Sequence, residues 1–266
     1  MRFLSFFLLV MILVACSKPD QQQQILVFGH AGMGLSMDNS IYHDNSLEAI
    51  SLALHLPTSN GVEVDVRLSA DGTLWLYHDE WLEAESNGVG CVSELSDEQL
   101  SKLTYRSNKK EKLAKLSDAL ALLQEDQVLF LDLKQVNSCR NERIDFEQLM
   151  ESFESQIESH KNQVKIICSY EFWINQLANE YEVYYSTDDV IEGKEILQKH
   201  PKIKGLVVRN AAIASNDIAW IKQQGKSIFL YDIRSLKGIK KAFRKNPTGI
   251  FSDDLRNALT ERNYAL

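Results

Sequence analysis

The chain has 266 residues, 44% of them hydrophobic and 25% charged, an ordinary globular composition with enough apolar material for a substantial core. Its 29 Lys and Arg against 37 Asp and Glu give a net charge of −8, which argues against non-specific nucleic-acid binding and names no substrate. The first distinctive segment is N-terminal: Arg2, then an apolar run from Phe3 to Ala15 broken only by Ser5. That run falls short of the roughly 20 residues of a membrane-spanning helix and fits the apolar core of a secretory signal over residues 1–15.

The run ends in Leu13-Val14-Ala15-Cys16, which resembles the bacterial lipoprotein box. The resemblance implies that Cys16 becomes the lipidated first residue of the mature chain, so that a lipid anchor makes the membrane a partner. Ser17 resembles the outer-membrane-directed class, which implies the cell envelope, facing the periplasm. The polar stretch SKPDQQQQ completes a flexible tether over 16–24. The alternative is a generic signal peptide with an incidental cysteine. The remaining cysteines, Cys91, Cys139 and Cys168, form no CxxC or zinc-type cluster. Outside the cytoplasm one pair can oxidise; the sequence leaves the pairing open, though Cys168 sits in an apolar run and reads as a buried thiol.

From residue 25 the pattern alternates between strand and helix. Short runs rich in Val, Ile, Leu and aromatics predict strands at 25–29, 61–68, 73–78, 127–134, 164–169, 182–186, 204–209, 227–232 and 249–252. Helix-like stretches lie at 46–56, 117–124, 144–160, 172–181, 191–199, 216–224 and 236–245, with caps expected at Asn45 or Ser46, Ser117, Ser215 or Asn216, and Ser235. About eight β–α repeats over 25–266 predict a closed (β/α)8 TIM barrel rather than a doubly wound sheet. The surplus strand is expected within 61–78, where Asp71-Gly72 marks a tight turn. Residues 80–115 interrupt the rhythm and predict a surface insertion with one short helix near 96–103. Its basic end, with Arg106, Lys109, Lys110, Lys112 and Lys115, reads as a solvated loop, with anionic lipid contact as the alternative.

In such a barrel the chemistry belongs at the C-terminal ends of the strands. Polar residues at those positions are His30, Glu63 and Asp65, His78 and Asp79, Asp132 and Lys134, Glu171, and Ser252 to Asp254. Glu63 and Asp65 are two apart in a strand, hence on one face, with Val62, Val64 and Val66 on the other. Paired carboxylates beside an apolar face need neutralising, and oxygen ligands suit Mg2+ or Ca2+. The competing reading is an exposed edge strand paired with surface lysines. His30 and His78, each ending an apolar strand, form an acid–base candidate pair. Gly29, Gly32 and Gly34 would let a phosphate approach main-chain N–H groups. Their G-x-x-G-x-G order is not the dinucleotide fingerprint.

Six motifs in order carry a resemblance: His30-Ala31-Gly32, Asn45-Ser46-Leu47-Glu48-Ala49, Glu63-Val64-Asp65-Val66, Asp71-Gly72, His78-Asp79 and Asp132-Leu133-Lys134. Together they resemble the glycerophosphodiester phosphodiesterases, in a His-Ala-Gly variant, with Ser252-Asp253 similar to that family's closing Thr-Asp. The resemblance implies a barrel of the phospholipase-C-like phosphodiesterase type that hydrolyses a small-molecule phosphodiester with a divalent metal. His30 and His78 would be catalytic, Glu63, Asp65 and Asp132 the metal ligands, and Lys134 and Asn45 substrate contacts. Two departures stand out. Ala31 replaces the family's Arg, removing a donor to the phosphate, and Asp132 replaces a Glu, one methylene shorter, with Glu171 as the fallback ligand. Other readings are a phospholipase or lyase on the same barrel, with Trp75, Tyr77 and Trp81 lining a lipid-facing mouth, and a tethered lipoprotein that binds head groups without catalysis.

Overall fold

The structure, a computed structural model, describes residues 24–34, 40–134, 136–137, 139 and 142–264. The apolar run 3–15, Cys16 and the tether up to residue 23 lie outside the described residues. Among the described residues no helix is long and apolar enough to cross a membrane.

The chain opens with β1 (Leu26–Gly29), α1 (Leu47–Leu54), β2 (Gly61–Leu68) and β3 (Leu74–Leu76). The insertion follows, with α2 (Leu82–Glu85), α3 (Asp97–Leu100) and β4 (Ala114–Lys115). Next come α4 (Leu116–Leu120), β5 (Val128–Leu133), the small ribbon β6 (Val136–Asn137) and β7 (Glu142–Arg143), and α5 (Phe146–Ile157). The second half is strictly alternating: β8 (Val164–Cys168), α6 (Glu171–Glu180), β9 (Val183–Ser186), α7 (Val190–Lys199), β10 (Gly205–Arg209) and α8 (Ser215–Gln223). It ends with β11 (Ser227–Tyr231), α9 (Leu236–Arg244), β12 (Gly249–Ser252) and α10 (Leu255–Tyr264).

Strands β1, β2, β5, β8, β9, β10, β11 and β12 pair in parallel in that order, and β12 closes back on β1. This is the expected eight-stranded barrel. The surplus strand is β3, antiparallel to β2 with Val66 opposite Leu76, so 61–76 is a hairpin rising above the barrel rim. The caps at Ser46 and Ser235 hold, each hydroxyl accepting a main-chain N–H. Two others are corrected. Ser117 lies inside α4, which starts one residue earlier, and α8 starts at Ser215, where the Asp217 carboxylate takes the N–H of Ala214.

Period-two alternation sorts each barrel strand. In β2, Val62, Val64, Val66 and Leu68 face outward into the main core under the helices, which leaves Glu63, Asp65 and Arg67 facing inward. Inside the barrel, Phe28, Phe130, Ile167, Tyr184, Val207, Phe229 and Phe251 form a separate apolar plug. Phe130 sits at its centre, with ring centroids 5.1 Å from Phe28 and 5.0 Å from both Phe229 and Phe251.

The insertion 80–115 is more than a surface excursion. Trp75, Tyr77, Leu82, Val92, Leu100, Tyr105 and Leu113 give it a small core of its own. Trp75 and Tyr77 are therefore packing residues, and of the three aromatics offered for a lipid-facing mouth only Trp81 is exposed. A disulfide joins Cys91 to Cys139, tying the insertion to the chain just after β6, while Cys168 is a free buried thiol whose pKa burial pushes up to about 12.

Candidate active site

The inward face of β2 brings Glu63 and Asp65 into the barrel mouth with only 3% and 4% exposure, which overturns the reading as an exposed edge strand. In register beside them, Asp65 stands opposite Asp132 of β5. Oxygens of Glu63, Asp65 and Asp132 lie within 4.8 Å of one another. The shorter Asp132 therefore reaches the cluster without help. Glu171, the fallback, is elsewhere: it accepts from His200 Nε2 at 2.8 Å and pairs with Lys199.

Lys134 follows β5 and places Nζ 2.7 Å from Asp65 and 2.5 Å from Asp132. Burial would push the Asp65 carboxyl up, but the charges of Lys134 and His78 and the hydrogen bonds from Lys134 and Asn45 hold it well below the usual carboxylate range. Glu63 goes the other way. Burial and the neighbouring Asp65 charge push it up to about 8, against the pull of His30 and of the Ala31 N–H, which donates to it at 3.0 Å. Adjacent buried carboxylates thus hold their protons very differently because Lys134 serves Asp65 and Asp132. The donor set fits a hard divalent cation: three carboxylates offer oxygen ligands within reach of one ion.

His30 ends β1. Its Nδ1 lies 2.8 Å from Asp253 and its Nε2 lies 3.8 Å from Glu63. Burial lowers its pKa, but the Asp253 hydrogen bond and the Glu63, Asp253 and Asp65 charges outweigh that and raise it to about 9. His78 follows β3, where the hairpin returns to the rim with the Tyr77 N–H on the Asp65 carbonyl at 3.1 Å. Its Nδ1 lies 2.9 Å from Asp79. Each histidine therefore has a carboxylate on Nδ1, which leaves Nε2 for chemistry.

His30, Glu63, Asp65, His78, Asp132 and Lys134 all line one cavity of about 370 Å3, floored by Ile167, Val207 and Phe251 of the plug. Asn45 is placed differently from its expected role. It is 1% exposed, donates to Asp65 Oδ2 at 2.8 Å and accepts from the Asp65 N–H at 3.0 Å, so it stands behind the carboxylate. The glycines also serve another purpose. A Cβ on Gly34 would stand 1.9 Å from the Asp253 carbonyl oxygen, so the close approach is of one loop to another.

The far wall holds residues the motifs do not mark. Arg209 ends β10 and donates to Asp188 at 2.9 Å and Asp232 at 2.7 Å, with its guanidinium 5.1 Å from the Tyr231 ring. Arg234 pairs with Asp232 at 2.8 Å. The signal available was position alone: Arg209 and Tyr231 are the last residues of β10 and β11, at the same strand ends where Asp132 and His30 stand.

A closed parallel barrel with histidines, carboxylates and a lysine gathered at the C-terminal ends of its strands has the plan of a barrel enzyme. The glycerophosphoryl diester phosphodiesterase family matches residues 30–256, and the chain belongs to that family. A glycerophosphodiester phosphodiesterase of Bacillus altitudinis is 25% identical over 245 residues, covering 85% of this chain and 94% of that one. Another from Caldanaerobacter subterraneus is 35% identical over 78 residues, 29% of this chain and 30% of its own. Among solved structures, an Oleispira antarctica phosphodiesterase in complex with the product sn-glycerol-3-phosphate superposes with a TM-score of 0.75 at 18% identity, covering 90% of this chain and 96% of that one. A glycerophosphodiester phosphodiesterase from Thermotoga maritima gives 0.71 at 18% identity, covering 90% and 98%.

Proposed function

We propose that this chain hydrolyses glycerophosphodiesters to sn-glycerol 3-phosphate and an alcohol, using His30 and His78 as an acid–base pair beside a carboxylate-held divalent cation. The observation that carries this reading is the gathering of both histidines, three carboxylates and Lys134 on one cavity inside the span that matches the family. The product bound to the Oleispira relative supports the choice of ester.

Glu63, Asp65 and Asp132 would hold the cation, Mg2+ or Ca2+. When bound it neutralises phosphate charge and polarises a P–O bond. For net hydrolysis, one histidine takes through Nε2 a proton of the water whose oxygen bonds to phosphorus, and the other gives a proton to the alkoxide oxygen as its P–O bond breaks. Asp253 and Asp79 keep each ring in the tautomer that presents Nε2. Lys134 contacts a phosphate oxygen. Ala31 is fully buried and offers its N–H to Glu63, and the lysine and arginine side chains that line the cavity among the described residues are Lys134 and, on the far wall, Arg209 and Arg234. A lipidated Cys16 would hold the barrel at the envelope membrane.

The test is hydrolysis of glycerophosphocholine by the purified protein with Mg2+, Ca2+ and EDTA, followed by His30→Ala and His78→Ala. Metal-dependent turnover lost in both variants is expected. Full activity in the double variant would sink the histidine mechanism, and activity indifferent to EDTA would sink the metal. Absence of fatty-acid labelling at Cys16 in cells would remove the anchor.

A further inference from the structure

The structure assigns Arg67 the part of a positioning residue that sets His78 against the carboxylate pair, an inference that rests on the acid–base role proposed for His78. Arg67 is the third inward residue of β2, two beyond Asp65 and four beyond Glu63. It is only 8% exposed, and the β2 side chains that line the cavity are Glu63 and Asp65. Its guanidinium instead closes on the main-chain oxygen of His78, with Nη2 at 2.8 Å and Nε at 3.3 Å.

The need for such a clasp follows from where His78 sits. β3 ends at Leu76, so His78 lies on irregular chain beyond the last ladder pair, with a side chain 37% exposed. Two bonds tie this stretch to β2: the Tyr77 N–H to the Asp65 carbonyl, and the Arg67 fork to the His78 carbonyl. Both anchors sit on the strand that carries Glu63 and Asp65, so β2 acts as a ruler between the histidine and the carboxylates. A guanidinium suits the task. It is planar, permanently charged and able to put two N–H groups on one oxygen, whereas a lysine gives one point of contact on a flexible stem. Burial works against its charge, and the carboxylates of Asp65, Glu80, Asp132 and Asp79 offset only part of that cost.

The test compares the full-length chain with Arg67→Met and Arg67→Lys in glycerophosphocholine hydrolysis, alongside 15N spectra of the histidine rings. Misplacing a reacting group by about an ångström costs up to about 100-fold, so kcat should fall about 10- to 100-fold in Arg67→Met with KM nearly unchanged. Arg67→Lys should fall less. In both, the His78 ring signals should shift or broaden while those of His30 stay put, a readout that needs no residual activity. If Arg67→Met does not fold, Arg67→Lys carries the same comparison. Unchanged kcat, a loss confined to KM, or lost turnover with undisturbed His78 signals would overturn the assignment. Wild-type turnover in His78→Ala would instead overturn the role of His78 itself.

Discussion

His30 Nδ1 and Asp253 Oδ1 lie 2.8 Å apart although 223 residues separate them, because β1 and β12 are the strands at which the barrel closes. The bond joins the first strand end to the last, so barrel closure and histidine orientation are one event. Asp253→Asn keeps the shape but removes the charge, and permits the amide to favour the wrong tautomer. In a comparable histidine–carboxylate pair that exchange costs about 10⁴-fold in kcat. Here a loss of about 100-fold or more is expected, with the thermal midpoint within a few degrees of wild type. A kcat within threefold of wild type would mean Asp253 does not govern His30.

The fold was legible because its signals are local and repeated. All eight barrel strands are short β-branched or aromatic runs, and Asp71-Gly72 marks the hairpin that carries the ninth. Glu63, Asp65 and Asp132 were legible because period-two alternation puts them on the inward face of strands whose other face is Val or Leu. What stayed hidden depends on pairs far apart in the chain. Asp253 acts on a residue 223 positions earlier, Cys139 finds Cys91 across an insertion, and Arg67 acts on a carbonyl, which leaves no trace in side-chain identity. The motif marks Asn45, but its bonds to Asp65 are not legible in it, since a sequence does not say whether an amide faces a substrate or the back of a carboxylate.

That placement gives a second prediction. Asn45 both donates to Asp65 Oδ2 and accepts from the Asp65 N–H, fixing its carboxylate from behind. Removing a partner that orients a metal ligand typically costs about 10- to 100-fold in metal affinity. Asn45→Ala should therefore weaken Mn2+ binding by that order in calorimetry, and saturating metal should restore most of kcat with KM for the diester little changed. A raised KM that metal does not correct would return Asn45 to the substrate.

The Cys91–Cys139 disulfide closes a loop with a sequence separation of 48 residues. Constraining a loop of that size in the unfolded chain stabilises the fold by about 4 kcal/mol on the chain-entropy account. The bond also joins the insertion, whose core packs Tyr77 next to His78, to the segment that follows Lys134. Cys91→Ser, or reduction with dithiothreitol, should lower the thermal midpoint by several degrees, with turnover falling at temperatures well below unfolding. Equal midpoints for the oxidised and reduced protein would show that the insertion's own core suffices.

Asp97 offers a test by pH. Its carboxylate accepts from Ser69 Oγ at 2.8 Å, Thr73 Oγ1 at 2.6 Å, Trp75 Nε1 at 2.8 Å and Lys115 Nζ at 2.8 Å, so one side chain knots the β2–β3 hairpin to β4. Burial alone would raise its pKa, but these bonds together, Lys115 first, hold it well below the usual carboxylate range. The sign follows from proton counts. Between the folded and the unfolded pKa, the unfolded chain binds a proton that the folded chain does not. Stability therefore rises with pH through that window and is fully present above the unfolded value. Asp97→Asn should cost about 2 kcal/mol at pH 7, the scale of a hydrogen bond to a charged group. As pH falls below about 4, an ordinary Asp value, the wild type should lose this advantage and the two unfolding midpoints should converge. A gap that stays constant from pH 7 to pH 3 would show that the knot does not depend on the charge of Asp97. Because the knot holds the hairpin that returns His78 to the rim, Asp97→Asn should also lower turnover at pH 7, although none of these four partners of Asp97 lines the cavity.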